Sequence, residues 1–222
     1  MSAARSAAGA DVAFAGFGRD ALAWLSELET HNERAWFQAN KARYEAEVRG
    51  PMRALLAELG GWFGPGKVFR PNRDVRFARG KGPYKAWVGA TVGEGGRVAG
   101  RYVQLDATHF LVAAGAHRLE RETLARYRAA VRAEASGRAL QRIADALAEA
   151  GTPLHGATLT RGPRDVPPDH PRLGLLKHTS VTLEVRTPVG PWLADPDAVL
   201  ERVVPTLLAA EPLLGWLRKH LA

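Results

Sequence analysis

The spacing of apolar residues changes once along the 222 residues and then changes back. Before Val68 they recur at three- and four-residue steps: Leu22, Leu25 and Leu28, then Trp36, Phe37, Tyr44 and Val48, then Leu55, Leu56, Leu59 and Trp62. From Val68 to about residue 115 the period is two. After Glu120 the helical spacing returns, through Leu124, Tyr127 and Val131 and then Leu140, Ile143 and Leu147. Strands grouped in one block between helices predict an α+β fold rather than alternating α/β. The expectation is a single α+β domain over 14–222, an antiparallel β-meander (about 68–115) packed with N-terminal and C-terminal helices, and a disordered tail over 1–13.

Local signals refine this frame. Asp20 is a candidate N-cap for the first helix. Asn32 is one for the second, with Glu33 in its first turn. Gly50-Pro51 reads as the end of that helix and the start of a third. Val75 and Phe77 alternate with Asp74 and Arg76 as in a half-buried strand, and Tyr84–Val92, Arg101–Leu105 and His109–Ala114 read as further strands. Gly151 is a candidate C-cap after two helices near Glu120–Ala135 and Gly137–Ala150. Leu154–Arg161 reads as a short strand. Residues 162–172, with four prolines, form an ordered loop or a lid. Val181, Leu183 and Val185 mark a last strand, and Asp195 or Asp197 opens a closing helix kinked at Pro205 and Pro212.

A chain that is 46% hydrophobic and 24% charged has the composition of a globular protein. It has no apolar run of 18 residues to form a transmembrane helix and no Leu-rich segment near its start to act as a secretory signal. Zero cysteines exclude disulfides, thiolate zinc sites, iron–sulfur clusters and a cysteine nucleophile. A cytoplasmic location is expected. Arg far outnumbers Lys, a bias of GC-rich genomes.

That bias does not account for where the charge lies. Residues 61–102 carry nine Lys/Arg against two Asp/Glu, a net +7 of the chain's +8. Clustered positive charge attracts phosphate groups, nucleic acid or an acidic protein face. Its centre is the run Arg70-Pro71-Asn72-Arg73-Asp74-Val75-Arg76-Phe77-Ala78-Arg79-Gly80-Lys81-Gly82-Pro83-Tyr84-Lys85. On a strand Asp74 and Arg76 share a face while Arg73 is out of phase. A carboxylate beside an arginine fixes the guanidinium fork, which then loses less entropy on gripping a phosphate or carboxylate. The turn Gly80-Lys81-Gly82-Pro83 can present backbone N–H groups to an anion, and Lys81 and Lys85 add point charge. Tyr84 can stack or donate a hydrogen bond. The competing reading is an exposed basic hairpin whose Val75 and Phe77 sit in the core.

A second constellation is Asp169-His170-Pro171 followed by Leu175-Leu176-Lys177. On a proline-stiffened loop Asp169 and His170 are weak candidates for an acid–base pair, joined by Asp74. Alternatively Asp169 caps a turn and His170 bonds backbone. Either the loop folds over the meander and brings His170 near Arg76 or Tyr84, or it is a rigid connector away from it. No phosphate-binding loop, dinucleotide fingerprint, zinc-protease helix or serine elbow occurs, and the spacing of the seven histidines supports no metal site.

These motifs resemble domain-of-unknown-function family 2461, a group found in bacteria and fungi. The resemblance covers about residues 14–220. It rests on Phe14-Ala15-Gly16-Phe17, on His31-Asn32-Glu33-Arg34-Ala35-Trp36-Phe37, on Arg73 to Lys85, and on Asp169 to Lys177. In the central motif Arg73, Asp74, Arg76, Phe77, Lys81, Pro83, Tyr84 and Lys85 all match. His31 stands where the family pattern has Asn, Ala78 where it has Ser and Gly80 where it has Asp. These departures count against a mechanism that needs that hydroxyl or that second carboxylate, whereas a purely electrostatic role survives them. The resemblance implies a single α+β domain and brings no activity, cofactor or catalytic residue with it.

The residues therefore favour a basic pocket for a phosphate-bearing or other anionic small molecule. Arg73, Arg76, Lys81, Tyr84 and Lys85 bind, no cofactor or metal is called for, and phosphoryl or phosphodiester transfer is the natural chemistry if any follows. The rivals are a non-enzymatic module that binds nucleic acid through the same meander and an interaction domain for an acidic partner. The basic run itself lacks serial exposed aromatics, which counts against nucleic acid.

Overall fold

A computed structural model describes residues 13–74, 82–94, 96 and 98–221. The first third is helical: α1 (Arg19–Thr30), α2 (Arg34–Ala39), α3 (Lys41–Arg43), a π-helical turn (Tyr44–Arg49) and α4 (Gly50–Phe63). Among the described residues five strands form one antiparallel sheet in the order β1-β2-β3-β4-β5: β1 (Lys67–Val68), β2 (Trp87–Val92), β3 (Gly100–Asp106), β4 (His109–Ala116) and β5 (Val181–Pro188). Between β4 and β5 lie α5 (Arg121–Arg132), α6 (Glu134–Glu149) and the short α7 (Leu173–Leu176). A 3₁₀ turn (Pro191–Ala194), α8 (Pro196–Ala209) and α9 (Glu211–Leu221) close the fold. It is a single-domain α+β protein, as the periodicity predicts.

The pleat decides which face of the sheet is core. Val88, Ala90, Val92, Val103, Leu105, Phe110, Val112 and Ala114 point one way and are buried with side chains of α1, α4, α8 and α9. Trp87, Thr91, Tyr102, Gln104 and Leu111 alternate with them and remain half-exposed on the opposite face. Phe17 reaches Phe110 at 6.0 Å between ring centres, fixing the N-terminal segment to the core. The preceding Gly16 has φ of 85°, and a Cβ there would lie 2.6 Å from the Ala194 backbone, so only glycine fits.

Three local expectations are corrected. Gly50-Pro51 does not break the helix. The chain widens into the π-turn and continues as α4, because Gly50 lets the Glu45 carbonyl approach where a Cβ would stand 2.9 Å away. The segment read as a strand at Leu154–Arg161 makes only isolated bridges, His155 with Thr182 and Thr158 with His178. The closing helix is two helices that part at Ala210, with Pro205 inside α8 and Pro212 in the first turn of α9; Asp195 caps α8 by accepting from the Asp197 and Ala198 N–H groups.

Candidate functional site

Beyond β1 the chain runs on as one arm of a hairpin whose other arm leads into β2. Phe69 N–H donates to Gly89 O at 2.8 Å, Lys85 N–H to Pro71 O at 2.9 Å and Arg73 N–H to Pro83 O at 2.8 Å, around an Asn72–Tyr84 bridge. The arms carry Arg70, Arg73, the exposed Asp74 and Lys85 at one end of the sheet. Arg76 and Lys81, with Val75, Phe77 and Arg79, lie outside the described residues, and so does the strand expected there.

Lys85 is the best-defined cation of the group. Its Nζ donates to Arg70 O at 3.0 Å and stands 5.0 Å from the Trp87 ring centre and 5.7 Å from that of Phe69. Its pKa is lowered, by partial burial first and then by the charges of Arg70 and Arg73. Those two guanidinium groups are thus close enough to repel the ammonium, and an anion placed among the three would relieve that repulsion.

Tyr84 plays a different part from the others. Its side chain is buried and stacks on Phe37, with ring centres 4.0 Å apart and planes 10° from parallel. Its backbone is held by Asn32, which is not the N-cap of α2; Glu33 takes that position. Asn32 Nδ2 donates to Tyr84 O and Tyr84 N–H donates to Asn32 Oδ1, both at 3.0 Å. The amide thus stands in for a neighbouring strand. A Cβ on Gly82 would come within 2.4 Å of the Asn32 side chain, so that close approach needs glycine. His31 stacks on Trp36, with ring centres 5.9 Å apart.

Asp169 and His170 are not brought to the hairpin. Tyr84 precedes Trp87, which pairs with Asp106 at one end of the sheet near the β1 edge. The loop holding Asp169 and His170 precedes β5 at the opposite edge, whose first residue Val181 pairs with Ala116 at the other end. Four strand spacings alone separate the two edges by about 19 Å. His170 Nδ1 accepts from Arg172 N–H at 3.1 Å, and Asp169 is exposed. Arg172 ties the loop to the α5–α6 junction by donating to Val131 O at 2.8 Å, to Arg132 O at 3.1 Å and to Glu134 at 3.2 Å. An Arg132–Asp165 ion pair at 2.6 Å adds a second tie.

Nearby, His178 Nδ1 lies 3.1 Å from Ser180 O, and burial lowers its pKa. The unfolded chain then takes up this proton at a higher pH than the folded one. Wild type should therefore lose stability as pH falls through about 6.5, and His178→Asn should lack that component. Urea midpoints on either side of that pH measure the difference; identical pH dependence of the two proteins would refute it.

Two features escape sequence reading. Tyr102 on β3 stacks on Phe69 at 5.8 Å and meets Trp87 edge-on at 6.5 Å, gathering three rings on the open face beside Lys85. Gly89 leaves the room, since a Cβ there would stand 2.4 Å from the Tyr102 hydroxyl. Strand alternation would have put Trp87 and Tyr102 on one face had the β2–β3 register been known. At the other end of β1 the π-turn delivers Arg49 to a cavity of about 620 Å³ that it lines with Arg53, Leu56, Lys67 and Val68. Arg49 pairs with Glu45 at 2.9 Å, while its buried Nε has no hydrogen-bond partner among the described residues.

Among the described residues no group of His, Asp or Glu is arranged to hold a metal ion, and no helix is long and apolar enough to cross a membrane. The molecule so defined is an α+β protein with a basic hairpin anchored at one corner of a half-open sheet. The chain belongs to the family described as conserved hypothetical protein (DUF2461), whose model it matches over residues 20–216. No curated protein and no solved structure matches it.

Proposed function

We propose that the protein is a cytoplasmic binder of a phosphate-bearing ligand, taken up at the basic hairpin. Arg73, Arg76, Lys81 and Lys85 bind the anion together with Arg70, and Asp74 orients an arginine. Tyr84, stacked on Phe37 and clamped by Asn32, positions the arm that carries Lys85. The observation that carries this reading is the Lys85 ammonium, held against Trp87 and Phe69 where partial burial first, and then the charges of Arg70 and Arg73, disfavour it. An anion bound beside Lys85, Arg70 and Arg73 would offset both contributions. If bond-making follows binding, phosphoryl or phosphodiester transfer suits the site, with positioning and charge stabilisation as the means.

Thermal shift against inorganic tripolyphosphate, nucleotides and sugar phosphates tests the reading. Wild type should be stabilised, and Arg73→Ala, Arg76→Ala and Lys81→Ala should each lose most of the response while melting normally without ligand. Equal responses from wild type and all three variants would remove the site.

A further inference from the structure

The rings beside the hairpin lie apart from the main core of the described residues. Among the described residues Phe69, Trp87 and Tyr102 are absent from the packed apolar cluster, Phe69 is 36% exposed, and the other two are half-buried on the face of the sheet away from the helices. They come from three neighbouring strands or their extensions, so the fold assembles a stacking surface that no short stretch of sequence displays. Next to it several cations lie along one arm. Arg53 and Lys67 lie at the cavity beside β1, and Arg70 and Arg73 follow along the same extended arm. Six residue steps from Lys67 to Arg73 span up to about 20 Å. From residue 67 to residue 85 the sequence has seven Lys/Arg and one carboxylate, Asp74.

Resting on the phosphate-binding reading above, we propose that the ligand is a single-stranded nucleic acid, its backbone tracking the β1 arm and a base stacking on the Phe69–Trp87–Tyr102 face. Charge carried at successive positions from Lys67 to Arg73 suits a polymer, whose repeated phosphates can meet several of these cations at once. The open aromatic face selects a single strand, because duplexes keep their base faces stacked inside. A basic groove beside aromatic rings is the arrangement that binds single strands with little sequence preference, since every base has a π-face. Gly89 serves the platform directly: any larger residue would displace the Tyr102 ring.

Fluorescence anisotropy with labelled oligonucleotides of about 12 residues, DNA and RNA, each single-stranded and as duplex, tests this. The expected result is preference for the single strand at low salt. Phe69→Ala and Tyr102→Ala should weaken it about tenfold without changing the salt slope. Arg70→Ala and Arg73→Ala should each reduce the slope of log K against log salt by about 0.7. Phe69 is exposed enough for its replacement to leave the fold intact, and circular dichroism checks both aromatic variants. Equal affinity for single strand and duplex, or unchanged binding by Phe69→Ala and Tyr102→Ala, would overturn the platform. A wild type that responds to tripolyphosphate but to no oligonucleotide would overturn this proposal and leave the anion site standing. Response to neither would remove both.

Discussion

Replacing Asn32 by Ala should lower the stability of the protein by about 2–4 kcal/mol. The side chain makes two hydrogen bonds to one residue, and both partners are backbone groups of the buried Tyr84. Losing them leaves a donor and an acceptor unsatisfied, at about 1–3 kcal/mol each before relaxation. For a chain of this size that corresponds to a fall in melting temperature of roughly 4–16 °C. Asn32→Asp should rescue little. Its carboxylate still accepts from the Tyr84 N–H but turns a second oxygen toward the Tyr84 carbonyl. Gly82→Ala should be as damaging, because its Cβ would occupy the space the amide fills. Phosphate binding should weaken in parallel, since the arm carrying Lys85 loses its anchor. Calorimetry on the three variants measures the effect, and an Asn32→Ala protein that melts like wild type would show that the clamp contributes nothing.

Arg172→Met should cost a similar amount, about 3 kcal/mol, and leave ligand binding alone. Arg172 is 8% exposed and donates to the carbonyls of Val131 and Arg132, two of the last acceptors of α5 that the helix itself leaves open. Its charge also sits where a helix C-terminus favours a cation. Hydrogen bonds from a charged group are each worth about 1.5–3 kcal/mol, and removing the fork strands the carbonyls it served. Arg172→Lys should recover only part, because a single ammonium cannot reach both carbonyls and Glu134 with the same geometry. The variant should also become susceptible to proteolysis within residues 162–172, as the tie to α5–α6 is lost. Tripolyphosphate should still stabilise it by the wild-type increment. If binding fell with stability, the loop would have to be coupled to the hairpin after all.

These variants mark where sequence reading reached its limit. The antiparallel meander and the helices on either side were legible because burying one face imposes a period, and the period survives in the residues. The turn between β3 and β4 is likewise local, since the Asp106 carboxylate accepts from the Thr108 and His109 N–H groups within it. Asn32 was misassigned because an Asn before a helical run is the standard capping signal, whereas its true partner lies 52 residues away. Gly50-Pro51 reads as a stop by local rules, but the π-turn with the close Glu45 carbonyl bridges it, and packing of the π-turn against α1 and of α4 against β2 holds the continuous helix in place. For the candidate site, the charge concentration named the segment. The aromatic face could not be seen, because Tyr102 enters it through the β2–β3 register.

The β1 edge bears on how the molecule keeps to itself. An open sheet edge is a template on which another chain can add a strand, and from there aggregates grow. Here the regular edge strand is only two residues long, and the arm beyond it carries Arg70, Pro71 and Arg73. Proline supplies no N–H for a ladder, and like charges on two approaching copies repel. At the other edge His155 and Thr158 already bridge to Thr182 and His178. The cations that would recruit a polyanion therefore also act as gatekeepers against self-association, so a variant that neutralised Lys67, Arg70 and Arg73 together would lose colloidal stability along with its ligand.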